Sequence, residues 1–182
     1  VGSKVIMAMT LITTNTSSSD ASSSFTSSID STYKLYIFKI IDLGPETDSQ
    51  FFTFDGSTDG GSNYAVTKTT TMFNADHTEA DASGLRYETG DDLAQSTTAA
   101  RLARAVGNGS DESAAGTLWL FNPSNTTYVK HFYARVEEYA GSDRIIDNFA
   151  AGYFNTTSAI NAVQFAMGSG DFDAVIKMYG VG

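Results

Sequence analysis

The stretch INAVQFAMGSGDFDAVIKMYGV, Ile160 to Val181, decides the fold class. Val163, Phe165 and Met167 stand on alternate positions with Gln164 and Ala166 between them, the period-two pattern of a half-buried strand. Gly168-Ser169-Gly170-Asp171 turns the chain and Val175 to Tyr179 runs back, so the spacing predicts a closing β-hairpin. A last strand tied into a sheet implies that the fold closes only once the whole chain is made.

Working back from that hairpin, Arg144 to Phe154 reads as a further strand. In Tyr128 to Tyr139, Phe132, Ala134 and Val136 share one face while His131, Arg135 and Glu137 share the other, where Arg135 and Glu137 can pair. Asn122-Pro123-Ser124-Asn125 is a turn, and before it Thr117 to Phe121 (TLWLF) is a compact core strand. Ala99 to Val106, ending in Gly107-Asn108-Gly109, fits a helix with a glycine stop or a strand; its neighbours favour a strand. Residues 74 to 100 have few apolar positions and read as a surface excursion. Phe51 to Phe54 and Tyr64 to Phe73 are expected to form a second hairpin with a long tip, Asp55 to Ser62, after a break at Gly44-Pro45-Glu46.

Tyr33 to Ile41 is apolar on both faces except for Lys34 and Lys39, as a central strand covered on both sides would be. One face is core; the other calls for another layer or a neighbouring subunit. Between Thr13 and Ser28, 12 of 16 residues are Ser or Thr. This tract fits a disordered linker or, equally, a Thr/Ser strand on a sheet edge; a flexible start, Thr13 to Ser19, followed by a strand from Ser23 to Ile29 is favoured. Val5 to Ile12 is a short strand or an anchoring arm, too short to span a bilayer and without the charged leader or cleavage site of a signal peptide. The expected architecture is all-β: an antiparallel, jelly-roll-like β-sandwich of nine or ten strands over residues 25–182, preceded by an arm and Ser/Thr-rich segment over residues 1–24.

A chain of 182 residues fits one domain with a core of its own. It has no cysteine, which excludes disulfides, a thiolate nucleophile and cysteine-based zinc sites. Its 11 Lys and Arg stand against 21 Asp and Glu, a net charge of −10, which disfavours nucleic acid and anionic membranes as partners.

Asp55, Ser57, Asp59 and Gly60 echo the opening of a calcium loop, but Val66 stands where the closing Glu belongs. A glycine-rich turn whose side chains cap their own backbone accounts for the same residues. Asp76, His77, Glu79 and Asp81 are a carboxylate-and-imidazole cluster better explained as a solvated loop. His77 and His131 are the only imidazoles, and no nucleophile elbow is present. A glycosidase-like carboxylate pair has no positive signal. Trp119 with Tyr128 or Tyr133 offers a sugar-stacking platform, against which core or interface burial of Trp119 is favoured. The sequons at Asn15, Asn108, Asn125 and Asn155 read as turn chemistry. No catalytic, cofactor-binding or metal-binding residue is assigned.

The blocks FTSSIDSTYKLYIFKI (Phe25 to Ile40), FDGSTDGGSNY (Phe54 to Tyr64), LWLFNPSNTTYVKHFYA (Leu118 to Ala134), AGYFNTTSAINAVQF (Ala151 to Phe165) and IKMYGVG (Ile176 to Gly182) resemble small structural proteins of tailed bacteriophages, especially marine ones. The resemblance implies a virion protein but names no part; an acidic, cysteine-free sheet protein would be repelled by packaged DNA, so the first expectation is a non-enzymatic capsid decoration (cement) protein on the outer shell, in contact with the major capsid protein. Such a protein is expected to be a homo-oligomer, with a trimer favoured, assembled in the host cytoplasm. Val5 to Ile12 and the second face of Tyr33 to Ile41 are the expected contact surfaces. The alternative is a tail-fibre or receptor-binding tip that recognises a host glycan through Asp55 to Ser62 and Tyr64.

Overall fold

The computed structural model describes residues 8–141 and 143–182. Within them the chain forms twelve strands and no helix, arranged as two antiparallel sheets. The strands are numbered in chain order. Across the eight-stranded sheet they run β1 (Met9–Asp20), β12 (Phe172–Val181), β3 (Leu35–Pro45), β8 (Ala114–Phe121), β9 (Lys130–Ala140), β10 (Arg144–Phe154), β5 (Lys68–Thr78) and β6 (Ser83–Tyr87). The four-stranded sheet runs β2 (Ser23–Phe25), β11 (Ala162–Met167), β4 (Gln50–Ser57) and β7 (Ala100–Val106).

Alternation along each strand builds the core between the sheets. The large sheet sends in Tyr36, Phe38 and Ile40 from β3, Leu118 and Leu120 from β8, and Phe132 and Val136 from β9. The small sheet answers with Phe25, Phe52, Phe54, Val163 and Phe165. Phe165 is the hub, with the rings of Phe38, Phe52 and Phe54 centred 5.5, 5.7 and 5.4 Å from its own. Gly116 lets β8 and β9 close at the same level. A Cβ there would lie 2.5 Å from the Arg135 carbonyl oxygen.

Both strands of the Ile160–Val181 stretch exist, but they do not pair with each other. β11 pairs with β2 and β4, while β12 pairs with β1 and β3 in the other sheet. Gly168 to Asp171 is therefore an arch over the edge of the core. It is held where Gly168 N–H donates to the Phe51 carbonyl at 2.8 Å and Glu46 N–H to that of Asp171 at 2.9 Å, with Gly170 at φ +73°. The physical reason is that period two records only that one face is buried. Strands lying side by side and strands facing each other across a core satisfy it equally.

The expected hairpin of Phe51–Phe54 with Tyr64–Phe73 is corrected in the same way. β4 belongs to the small sheet and β5 to the large one, where β5 pairs with β10 and β6. Thr13 to Ser19 is no flexible segment. It lies in β1, whose backbone pairs with β12 from Met9↔Val181 to Asp20↔Phe172, so a ladder orders a stretch that has little side chain to bury. Within the arm, Val5 to Met7 fall outside the described residues, whereas Met9 to Ile12 open β1. The Ser23–Ile29 strand shortens to Ser23–Phe25, followed by irregular chain in which Ile29 is still buried. The surface excursion at 74–100 contains the end of β5 and all of β6, and it buries Asp76 and Asp91.

Candidate functional site

The same alternation that fills the core sends a second set of side chains to the outer face of the large sheet. Register places Tyr179 beside Ile37, Ile37 beside Trp119 and Trp119 beside Tyr133, an unbroken row across β12, β3, β8 and β9. Leu11 on β1 extends the row at one end. A second row, Phe149, Phe73 and Tyr87, crosses β10, β5 and β6. Tyr133, Phe73 and Tyr87 are 43%, 42% and 55% exposed. Every exposed large apolar residue that lies in a strand of the described chain is on this one face. On the small sheet the corresponding positions are Ser24, Gln164, Ala166, Thr53 and Arg101, the last covering Phe51 with its guanidinium 3.5 Å from the ring centre.

The rings on the large face use their flat sides on one another. Trp119 stacks on Tyr133 with centroids 4.5 Å apart and Tyr133 on Phe121 at 5.7 Å, while Lys39 Nζ stands 5.9 Å from the Trp119 ring. Phe73 and Phe149 are parallel at 4.8 Å, with Arg135 5.2 Å over Phe149. Rings stacked in this way keep few faces for a sugar, because sugar stacking needs an uncovered aromatic face. The expected platform of Trp119 with Tyr133 is thus a real stack, outside the core, but a self-satisfied one. Trp119 is at the surface because Leu118 and Leu120 take the inward positions of β8.

Charge on this face is also organised. Arg135 makes a bidentate pair with Asp147, at 2.9 Å from Nε to Oδ1 and 2.7 Å from Nη2 to Oδ2, and only a looser one with Glu137 at 3.8 Å. Lys39 and Lys177 are register partners on β3 and β12, and neither forms an ion pair among the described residues. Like charges directly opposite are unfavourable in a sheet. Lys39 Nζ donates to Thr117 Oγ1 at 2.9 Å.

The other expected sites resolve into internal contacts. Asp55 is buried and meets Lys68 Nζ at 2.9 Å, the ammonium also donating to the Thr98 carbonyl at 2.9 Å. Burial pushes Asp55 up and Lys68 down, and each is drawn back by its partner. Ser57 Oγ donates to Asp59 Oδ1 at 2.6 Å, while Asn63 N–H and Nδ2 donate to the two Asp59 oxygens at 2.9 and 2.6 Å. Those donors, Ser57 first, hold Asp59 at about 2. The oxygens of Asp55, Ser57 and Asp59 are spent on the chain's own donors, as in a capped turn. Asp76 and His77 project to opposite faces of β5, the first paired with Arg86 and the second 3.4 Å from Asp81. Among the described residues no three His, Asp or Glu gather as a metal site.

Of the sequons, Asn125 behaves as a turn residue, its Oδ1 accepting from Thr127 and Tyr128 N–H. Asn15 instead lies in β1, with Nδ2 donating to the Ser24 carbonyl at 2.9 Å. Tyr64, the aromatic expected at a glycan-binding tip, has its hydroxyl buried without a partner.

Among the buried titrating groups that escaped the sequence reading, Glu138 is the one beside an open groove. Glu138 alternates inward with Phe132, Ala134 and Val136, and only 1% of it is exposed. Its carboxylate accepts from Arg104 N–H at 3.0 Å and Ala105 N–H at 3.1 Å, two amides at the register shift of β7 against β4. Burial raises it to about 7 despite those donors. It borders an open groove of about 500 Å³ that Glu137, Asp143 and His77 also line, but both of its oxygens are engaged in bracing β7. A Glu at the fifth inward place of β9, after the apolar Phe132, Ala134 and Val136, was the available signal.

No protein-family model, no curated protein and no solved structure matches this chain.

Proposed function

We propose that this protein is a non-enzymatic structural component of a tailed-phage particle, a decoration (cement) protein on the outer shell that docks through the outer face of its large sheet. The observation that carries the reading is the asymmetry of the two outer faces. One is polar, and the other collects the exposed aromatic and aliphatic side chains into rows around Lys39 and Lys177, which form no ion pair among the described residues. Contiguous apolar surface of this kind marks a contact surface, and two unopposed lysines fit a partner that presents carboxylates there. The resemblance of the sequence blocks to phage structural proteins supplies the setting. The expected second face of Tyr33–Ile41 is the centre of this surface, since Ile37 and Lys39 lie on it.

Immunogold labelling of intact particles tests the reading, with gold expected evenly over the heads. Tyr133→Asp with Lys39→Glu should abolish rebinding to particles stripped of the protein while leaving the circular dichroism spectrum unchanged. Gold confined to the tail, or rebinding that survives the double substitution, overturns it.

A second reading, a receptor-binding tip for a host glycan, is favoured by one recess. Phe121, Tyr128, His131 and Thr157 line a hollow of about 540 Å³ at one end of the sandwich, beside the Asn122 Oδ1, which is buried without a donor. Tyr128, at 70% exposure, has a ring left uncovered there. Glycan-array binding that disappears in Tyr128→Ala would select this reading over the first.

A further inference from the structure

The two sheets have four edges. β2 is three residues long, β6 is five residues long and carries Arg86, and β7 carries Arg101 and Arg104 and breaks register twice against β4. Short length, charge and irregularity are the devices that keep sheet edges from pairing with other chains. β1 has the least of them. It is twelve residues long and among the described residues pairs with β12 alone, and between Met9 and Ser19 it contains no charged residue, no proline and no glycine. Its register against β12 also shifts twice, at Ile12 and between Ser17 and Asp20, but Thr13 to Ser17 between the shifts runs unbroken.

The geometry points to a second copy of this chain as the occupant of that edge, the two β1 strands pairing antiparallel about a two-fold axis through Asn15. A protein of net charge −10 repels its own copies over most of its surface, whereas this edge is neutral. In that register Thr14 of one copy lies opposite Thr16 of the other and Thr13 opposite Ser17. Paired Thr and Ser side chains suit cross-strand contact. Asp20, the one acid of the strand, falls opposite Thr10 rather than opposite itself. Asn15, tied to the Ser24 carbonyl at 2.9 Å, holds the strand from its inner side. Such a contact is self-complementary and closes after two copies. It joins two eight-stranded sheets into one, with both aromatic outer faces on the same side. The inference does not depend on the phage reading.

Because the chain has no cysteine, the pairing can be read by cross-linking. The full chain should sediment as a species of twice the monomer mass. Thr14→Glu with Thr16→Glu places carboxylates opposite carboxylates across the axis while setting residue 14 beside Lys177 of its own chain, so it should give a folded monomer. Mixing Thr14→Cys with Thr16→Cys should give a covalent dimer on oxidation, and Ser83→Cys on the β6 edge should not. A monomeric or trimeric wild-type chain, a dimer indifferent to the double Glu substitution, or equal cross-linking at residue 83 overturns the inference.

Discussion

Replacing Glu138 by Gln tests how the two sheets are held together at β7. The carboxyl is raised from an ordinary 4.5 to about 7 because burial disfavours its charge more than the Ala105 and Arg104 amides and the nearby Asn148 side chain favour it. A raised carboxyl means that between these values the folded chain binds more protons than the unfolded one. Its contribution to stability is therefore full below about pH 4.5 and is lost as the pH rises through about 7. At about 1.4 kcal/mol for each factor of ten, the ionised form costs on the order of 3 kcal/mol. Gln keeps an acceptor for the β7 amides, and its NH2 group can reach Asn148, whose Oδ1 has no donor. Urea unfolding should thus find Glu138→Gln close to wild type near pH 4.5 and more stable by up to ~3 kcal/mol near pH 8. The difference between the two proteins isolates this residue from the other acids. A difference that is flat with pH, or that falls as pH rises, refutes the reasoning.

Other expectations follow from contacts of the same kind. Lys68→Met should destabilise by about 3–5 kcal/mol, because it strands the buried Asp55 carboxylate, and Lys68→Met with Asp55→Leu should recover most of the loss in the same urea assay. Gly116→Ala drives a methyl into the β9 backbone and should lower stability by about 1–3 kcal/mol, read from the thermal midpoint. Asn15→Ala removes the tie from β1 to Ser24, worth about 1 kcal/mol, and should speed hydrogen exchange in Met9–Asp20 more than in β9.

The strands were legible wherever one face had to be buried. Arg144–Phe154 has the same bounds in the sequence and in the structure, and the two faces of Phe132 to Glu137 are those that period two assigns. The capped turn at Ser57 to Asn63 was legible as well, since short polar side chains beside glycines satisfy their own backbone. β1 was legible only as one of two alternatives, an edge strand or a flexible linker, because its ordering comes from backbone pairing with β12, and Ser and Thr carry almost no hydrophobic signal. Whether Trp119 faced the core or an outer surface was not legible because TLWLF is apolar at nearly every position, and only the inward choice of Leu118 and Leu120 reveals that Trp119 faces out.

By itself the sequence determined an all-β chain, cysteine-free and acidic, with strands ending at its glycine and asparagine clusters. These are properties of local pattern and composition, and they hold whatever the strands pair with. Which strands are neighbours was decided only in three dimensions. β11 and β12 follow each other through four residues yet lie in different sheets, and β1 and β12, at opposite ends of the chain, lie side by side. The outer face with its rows of aromatics belongs to that second category, because it draws on eight strands whose order no local period encodes.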